Sequence, residues 1–420
     1  MTDTGHMQPN DSCKPQVVVD FDLGKGPPTR LYFSAPRSVE LAWRAQEVLP
    51  ALHRIEHAIR QGSWAAGYLA YEAAAGLDPK MAEAMGIAPD KKHAMPLLAF
   101  ALFDAPDADP VFADGLPGTH PCATPSASEP AGETGLQWSL NESPDDYAKK
   151  IACLREAIAA GDAYQINYTL RAHAQAGDGF SPWHYYEALR RRQQCRYGAY
   201  LDFGSYQVLS LSPELFFDWN RTDGRITTRP MKGTAPRGAT PESDAAQALR
   251  LQTSAKERAE NVMIVDLLRN DLSRVCTPAS VRVEALCRLE RYRYVQHLVS
   301  VVAGRLRPGL GVLDALEAAM PGGSVTGAPK HRACEIISAF EPVAREAYCG
   351  SIGYVGFDGT ADFNLLIRTF VTAQGRITFS AGGGVTAASD PAAEHAESLH
   401  KAEGMLRVLE SLGIGSGAES

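Results

Sequence analysis

TRPMKGTAPRG (228–238), a short polar spacer, and then AKERAENVMIVDLLRND (255–271) place two chemistries side by side, and the rest of the chain reads outward from them. The first segment has the composition of a turn-rich loop: Lys232 lies between Met231 and Gly233, with Pro230, Pro236 and Gly238 restricting the backbone around it. The second has helical spacing. Glu257 and Glu260 are three apart and share a face, while Val262, Met263, Ile264, Val265, Leu267 and Leu268 supply apolar burial. A helix from Pro391 to about Leu412 repeats the device, with Glu394 and Glu397 again three apart. Four carboxylates without a Cys/His ligand pattern suit a hard, oxygen-preferring ion such as Mg²⁺, which usually takes one or two protein carboxylates and keeps several waters.

Bulk properties narrow the possibilities. The 420 residues are 45% hydrophobic and 21% charged, the balance of an ordinary globular protein. A net charge of −8, with no basic run interleaved with aromatics, argues against nucleic acid as a partner. The eight cysteines are scattered without C-x-x-C spacing, which suits a reducing, cytoplasmic setting. The N-terminal stretch lacks the apolar region of a signal peptide, and apolar runs are too short for a membrane span.

Residues 16–22 and 30–34 read as strands, 38–61 as a helix kinked or broken at Pro50, and 65–73 and 96–103 as further strands. Six prolines between Pro106 and Pro130 mark a long loop, so the expected division is an N-terminal part, 1–137, and a second part, 138–415. Ser143, Pro144, Asp145 and Asp146 announce a helix running to Gly161. Tyr164, Ile166, Tyr168 and Leu170 alternate with Gln165, Asn167 and Thr169, the pattern of a half-buried strand. VLSLSPELFF (208–217) is a strand broken by Ser-Pro, FDGT (357–360) a hairpin turn, and ITFSAGGGV (377–385) a strand entering a glycine-rich bend. Hairpin-connected strands with separate helices predict an α+β fold.

Several isolated residues also invite chemistry. Glu214 sits among Leu215, Phe216 and Phe217, surroundings that raise a carboxyl pKa and suit a general acid. Arg368 follows the apolar run LLI, where a guanidinium needs either a structural ion pair or a ligand carboxylate. Gly382, Gly383 and Gly384 allow close backbone approach to a ligand. PGGSVTGAPK (321–330) is not a phosphate loop, because Gly327 is followed by Ala-Pro-Lys instead of Lys; it reads as a tight loop leading into a helix whose N-terminus favours an anion.

These segments, with GDAYQINYTLRA (161–172), SPELFF (212–217), VQHLVSVVAG (295–304), YCGSIGYVGFDG (348–359), FNLLIRT (363–369) and GGGVTAASDPAAEHAES (382–398), resemble the chorismate-utilising enzymes, the family of anthranilate, aminodeoxychorismate, isochorismate and salicylate synthases. The resemblance runs from about 140 to 412, and more loosely through GYLAYE (67–72). It implies large antiparallel sheets packed as a sandwich with helices outside. It implies Mg²⁺ held by Glu260 and Glu397, supported through water by Glu257 and Glu394. Chorismate would be bound by Arg368, Tyr348, Lys401, Gly383, Gly384, Thr234 and Gln165, with His297 beside the departing ring hydroxyl.

Within the family, members that add water to the ring carry Lys where this chain has Gln165, which cannot act as a base. The Lys at 232 matches members that aminate chorismate at C4; those forming anthranilate show Ala there. The resemblance therefore implies C4 amination through a covalent bond to Lys232, with Glu214 as general acid and ammonia from a partner glutaminase subunit, on the route to 4-aminobenzoate and folate. Anthranilate synthesis is the alternative within the family, and a non-catalytic chorismate-binding regulator the alternative outside catalysis.

Overall fold

The computed structural model describes residues 15–22, 29–107, 137–177, 180–193, 195–292 and 295–410. Its strands form two antiparallel sheets, nine-stranded and ten-stranded among these residues. In the first, Gln165–Gln175 pairs with Arg376–Val385 near one edge, followed by Thr369–Ala373, Tyr206–Ser212, Tyr197–Asp202, Gln16–Phe21 and Thr29–Phe33. The second runs Met231–Pro236, Val295–Arg305, Arg225–Arg229, Leu215–Asn220, Thr360–Leu365, Ser351–Val355, Trp64–Leu69, Leu98–Phe103 and Ser38–Ala42. The architecture is α+β with the sheets face to face.

Strand sequences explain the layering. In QVVVDF, Val17, Val19 and Phe21 enter the core shared by the two sheets, while Val18 faces outward onto Tyr185, Tyr186 and Leu189 of the Pro182–Gln193 helix. Both faces are covered, so apolar residues occupy successive positions instead of alternating ones. In WAAGYL the residues must also be small: a Cβ on Gly67 would lie 2.1 Å from the Ala99 carbonyl oxygen, and Gly67 stands opposite Gly353 in register.

Several segments differ from the expectation. Residues 38–61 divide into a strand, Ser38–Ala42, and a helix, Ala45–Arg60, that passes through Pro50 without ending. Pro50 falls early in the helix, where it forfeits one backbone bond, and the start is fixed by Glu47, which accepts the N–H groups of Trp43 and Arg44. The strand expected at 65–73 stops at Leu69, and Tyr71–Gly76 is a 3₁₀ turn. TRPMKGTAPRG is not a loop: Met231–Pro236 is a strand paired with Val295–Arg305. The polar face of Gln165–Gln175 is buried as well, with Gln165 1% exposed. The Ser143 cap is present, its hydroxyl accepting the Asp146 N–H at 3.2 Å. Most of the Pro-rich stretch at 104–137 and the end of the last helix beyond 410 lie outside the described residues. Strands from before residue 107 enter both sheets, Gln16–Phe21 beside Tyr197–Asp202 and Trp64–Leu69 beside Ser351–Val355.

Residues 321–330 form a short 3₁₀ turn, Gly323–Val325, then a two-residue strand on Gln165–Ile166 and the helix Lys330–Phe340. Lys330 is buried and donates to Asp271 at 2.8 Å and to the Ala319 carbonyl at 2.7 Å, tying this segment to the end of the Ala255–Ser273 helix. Removing one partner of a buried pair strands the other charge, so Lys330→Met lowers unfolding free energy by about 3–5 kcal/mol. Lys330→Met combined with Asp271→Leu restores most of it, as measured by denaturant unfolding; an equal loss in the double variant would show that the pair is not the cause. Among the described residues no helix is long and apolar enough to cross a membrane.

Candidate active site

Lys232 comes from the edge strand Met231–Pro236, whose register against Val295–Arg305 shifts between Lys232 and Thr234. Gly233 makes that shift possible with φ of +79°, and a Cβ there would lie 3.0 Å from Glu257 Oε2. The strand thus tucks against the Ala255–Ser273 helix. Lys232 Nζ donates to the Ser324 carbonyl at 3.1 Å, and the Ser324 side chain hydrogen-bonds Glu214. One residue of the 321–330 segment therefore holds an amine and a carboxyl together.

The electrostatics of the pair are those of a base and an acid. Burial lowers the Lys232 pKa, against the pull of Glu260 and Glu214, so the net movement is toward the neutral amine. Burial pushes Glu214 up to about 7, although the Ser324 hydrogen bond, the Lys232 charge and the Met231 backbone resist. A carboxyl at that value still holds its proton in much of the population near neutral pH.

The carboxylates of the two helices meet around this amine. Glu260, Glu397 and Lys401 all act electrostatically on Lys232, and Glu260 also senses Glu257 and Glu394. Burial raises Glu260, whereas in Glu397 it is outweighed by Lys401, 2.8 Å away, helped by Lys256 and Lys232. Gly383 forms the floor: a Cβ there would lie 3.3 Å from Glu394 Oε2, 3.6 Å from Lys401 Nζ and 3.9 Å from Glu397 Oε1. Lys401 also donates to the Gly382 carbonyl at 2.9 Å, and Glu394 accepts the Ser389 hydroxyl at 2.6 Å. Among the described residues no three His, Cys, Asp or Glu side chains converge closely enough to enclose an ion. The donor set fits a water-rich Mg²⁺ touching one or two carboxylates, with further oxygens from a ligand.

A second group adjoins the first. Thr234 Oγ1 lies 2.9 Å from His297 Nδ1, and His297 is pushed down to about 3 by burial and by the Arg368 charge, so its ring is neutral. Arg368, with φ of +52°, has its own pKa lowered by burial, and no acidic side chain pairs with it among the described residues. The structural ion pair is therefore not formed, which leaves the guanidinium available for a ligand carboxylate. Tyr348 is buried on the adjoining turn, where the Cys349 N–H donates to the Leu366 carbonyl at 2.8 Å. Gln165 packs against Gly384, where a Cβ would fall 1.9 Å from its Nε2, and its Oε1 is buried without a hydrogen-bond partner.

The structure thus brings Lys232, Glu214, Glu257, Glu260, Glu394, Glu397, Lys401 and Gly383 together. It sets Thr234 and His297 next along the same strand pair with Arg368 acting on His297, and packs Gln165 on Gly384, with Tyr348 on the turn beside Leu366. Ser324 escaped, because PGGSVTGAPK looked like a turn with an anion-binding helix end. In the structure its serine bonds both Glu214 and Lys232, and its lysine is spent on Asp271. Asn261 escaped too: buried in the AEN triplet, it donates to the Leu298 carbonyl at 3.0 Å and locks the helix onto the His297 strand.

The chain belongs to the chorismate binding enzyme family, which it matches over residues 10–407. It is 46% identical over 275 residues to aminodeoxychorismate synthase component 1 of Klebsiella aerogenes, covering 65% of this chain and 60% of that protein. Over 286 residues it is 44% identical to anthranilate synthase component 1 of Streptomyces coelicolor, covering 68% of this chain and 55% of the relative. The matched segment thus spans little more than half of these relatives. Among solved structures, anthranilate synthase component I of Streptococcus pneumoniae TIGR4 superposes with a TM-score of 0.71 at 25% identity, covering 96% of this chain and 95% of that one.

Proposed function

We propose that the chain aminates chorismate at C4, forming 4-amino-4-deoxychorismate. The observation that carries the reading is a partly desolvated Lys232 amine joined through Ser324 to a Glu214 carboxyl with pKa about 7. In this reading Lys232 Nζ attacks ring C2, the C1=C2 bond shifts to C1=C6 and the C5=C6 bond to C4=C5, and the C4–oxygen bond breaks. The hydroxyl takes the Glu214 proton and leaves as water. Ammonia then adds at C4, both double bonds return, and the C2–Lys232 bond breaks, with the lysine regaining its electron pair and the Glu214 carboxylate taking back a proton from the new ammonium. Arg368 and Tyr348 hold the enolpyruvyl carboxylate, while His297 and Thr234 lie beside the departing hydroxyl. Glu260 and Glu397 would hold Mg²⁺, with Glu257 and Glu394 behind them, and the ion would supply counter-charge to the ring carboxylate. Gln165 offers no base for water, in keeping with ammonia as the nucleophile. A separate glutaminase subunit is the proposed source of that ammonia; the names of the relatives as component 1 of a synthase support a partner.

Anthranilate synthesis is the second reading, favoured by relatives of that name at similar identity. Chorismate, Mg²⁺ and ammonium incubated with the protein decide between them: the expected product has the mass of aminodeoxychorismate, and fluorescent anthranilate overturns the first reading. EDTA should abolish turnover and Mg²⁺ restore it, with Glu260→Gln losing activity while unfolding at the parent temperature. Full activity in chelator would remove the metal from the proposal.

A further inference from the structure

Away from this site, a cavity of about 490 Å³ opens between the Pro79–Met85 helix, the Lys330–Phe340 helix and the strap 341–346. That volume suits a small organic molecule. Its walls are apolar at Met85, Ile87, Ile337 and Val343. Its acidic groups are already engaged. Glu72 accepts the N–H groups of Arg345 at 2.7 Å and Glu346 at 2.9 Å. Glu341 accepts from Thr169 and from the Arg345 guanidinium, and Glu346 from Arg171. The basic groups at the rim have no acidic partner. His93 Nε2 is buried with no hydrogen-bond partner, and neither Lys91 nor Lys92 has an acidic partner among the described residues, Lys92 lying over the Trp43 ring. An apolar chamber with satisfied acids and with bases that lack an acidic partner is complementary to an anion with an apolar body.

The strap connects this chamber to Lys232. Arg345 donates to the Val325 carbonyl, next to Ser324, and to the Asn167 carbonyl, on the strand that carries Gln165, both at 2.7 Å. Its own carbonyl accepts the Tyr348 N–H at 3.1 Å. A ligand that moves the strap therefore moves the segments that carry Ser324, Gln165 and Tyr348.

We propose that this cavity is an effector site for a small aromatic or apolar carboxylate, held by Lys91, Lys92 and His93, and that its occupancy alters chorismate binding through Arg345. The binding claim stands apart from the reaction; the coupling claim rests on the proposed use of chorismate. The test uses benzoate as the probe and the uncharged benzamide as control, with the full chain, by calorimetry. Benzoate should bind the parent and an Arg368→Met variant alike. It should bind at least about tenfold more weakly to a Lys91→Met/Lys92→Met variant and to Val343→Trp, which fills the chamber from its exposed wall. Benzamide should bind as weakly as benzoate does to the double variant. Saturating benzoate should change the parent's KM for chorismate at least about threefold and leave that of the double variant unchanged. No benzoate binding up to about 10 mM overturns the site. So does binding lost in Arg368→Met but kept in the double variant, which would place the probe in the substrate site. Cavity binding with an unchanged KM overturns the coupling alone.

Discussion

Lys232→Ala should lower C4 amination at least about a thousandfold and abolish covalent labelling of the protein by chorismate, because it deletes the atom proposed to bond the substrate. In the parent, chorismate without ammonia should leave an adduct with the mass of chorismate less water, on the peptide containing Lys232. The ammonium group of a free lysine, with pKa ~10.4, would hardly attack carbon near neutrality. In the structure burial moves Lys232 toward its neutral form in spite of Glu260 and Glu214. The variant should still bind chorismate, since Arg368 and Lys401 are untouched, and slow anthranilate formation is the expected residue of activity. Aminodeoxychorismate made at the parent rate by Lys232→Ala would dismiss the nucleophile and, with it, the main ground for preferring C4 over C2.

Glu214→Gln should slow adduct formation about 10²–10⁴-fold, the usual range for a positioned general acid, and change its pH profile. The reactive form keeps a proton on Glu214 and none on Lys232. That state is populated between the two apparent pKa values of the pair, one of them near 7, so the parent rate rises and falls with pH as a bell. With Gln in place only one titration remains, and the rate should climb once, as Lys232 loses its proton. The measurement is single-turnover labelling without ammonia, which keeps the ionisation of ammonium out of the profile. A bell unchanged by the substitution would exclude Glu214 as the acid. Stability can be separated from this effect. A buried carboxyl whose pKa is raised in the folded state holds a proton there that the unfolded chain has released. Such a group contributes stability below its unfolded pKa, and that contribution falls as pH rises through about 7. Glu214→Gln removes this loss, so the variant should be relatively more stable than the parent at alkaline pH, as thermal unfolding would record.

Much of the site was legible because its parts are local. Glu257 with Glu260, and Glu394 with Glu397, declare a shared helix face by spacing alone. The apolar neighbours of Glu214 announced its raised pKa, and the run before Arg368 marked a guanidinium in need of a partner. What stayed hidden depends on contacts between distant segments. Ser324 looks like a turn residue until Lys232 and Glu214 arrive from other strands. The Gln165 face looked solvated, since alternation of polar and apolar residues cannot say whether the polar side is covered; here it is, and Gly384 lies against it. The strand at Lys232 was missed for a related reason. Its prolines and glycines signal turns, but an edge strand with a glycine bulge tolerates both.

The sharing of both sheets by early and late segments has a consequence for how the chain comes to be folded. Leu98–Phe103 and Trp64–Leu69 are made early and can pair with each other at once, yet the other flank of Trp64–Leu69 belongs to Ser351–Val355. Gln16–Phe21 waits in the same way for Tyr197–Asp202. Until those partners leave the ribosome, WAAGYL presents an unpaired backbone edge, and both it and LAFALF, buried throughout in the finished protein, present apolar faces. Closing such long loops is slow, and the waiting strands are open to pairing with other copies. Cold induction and slow synthesis should therefore favour the native chain over inclusion bodies, and a fragment beginning after the Pro-rich segment would carry the whole lysine–glutamate machinery on a sheet whose neighbouring strand is missing.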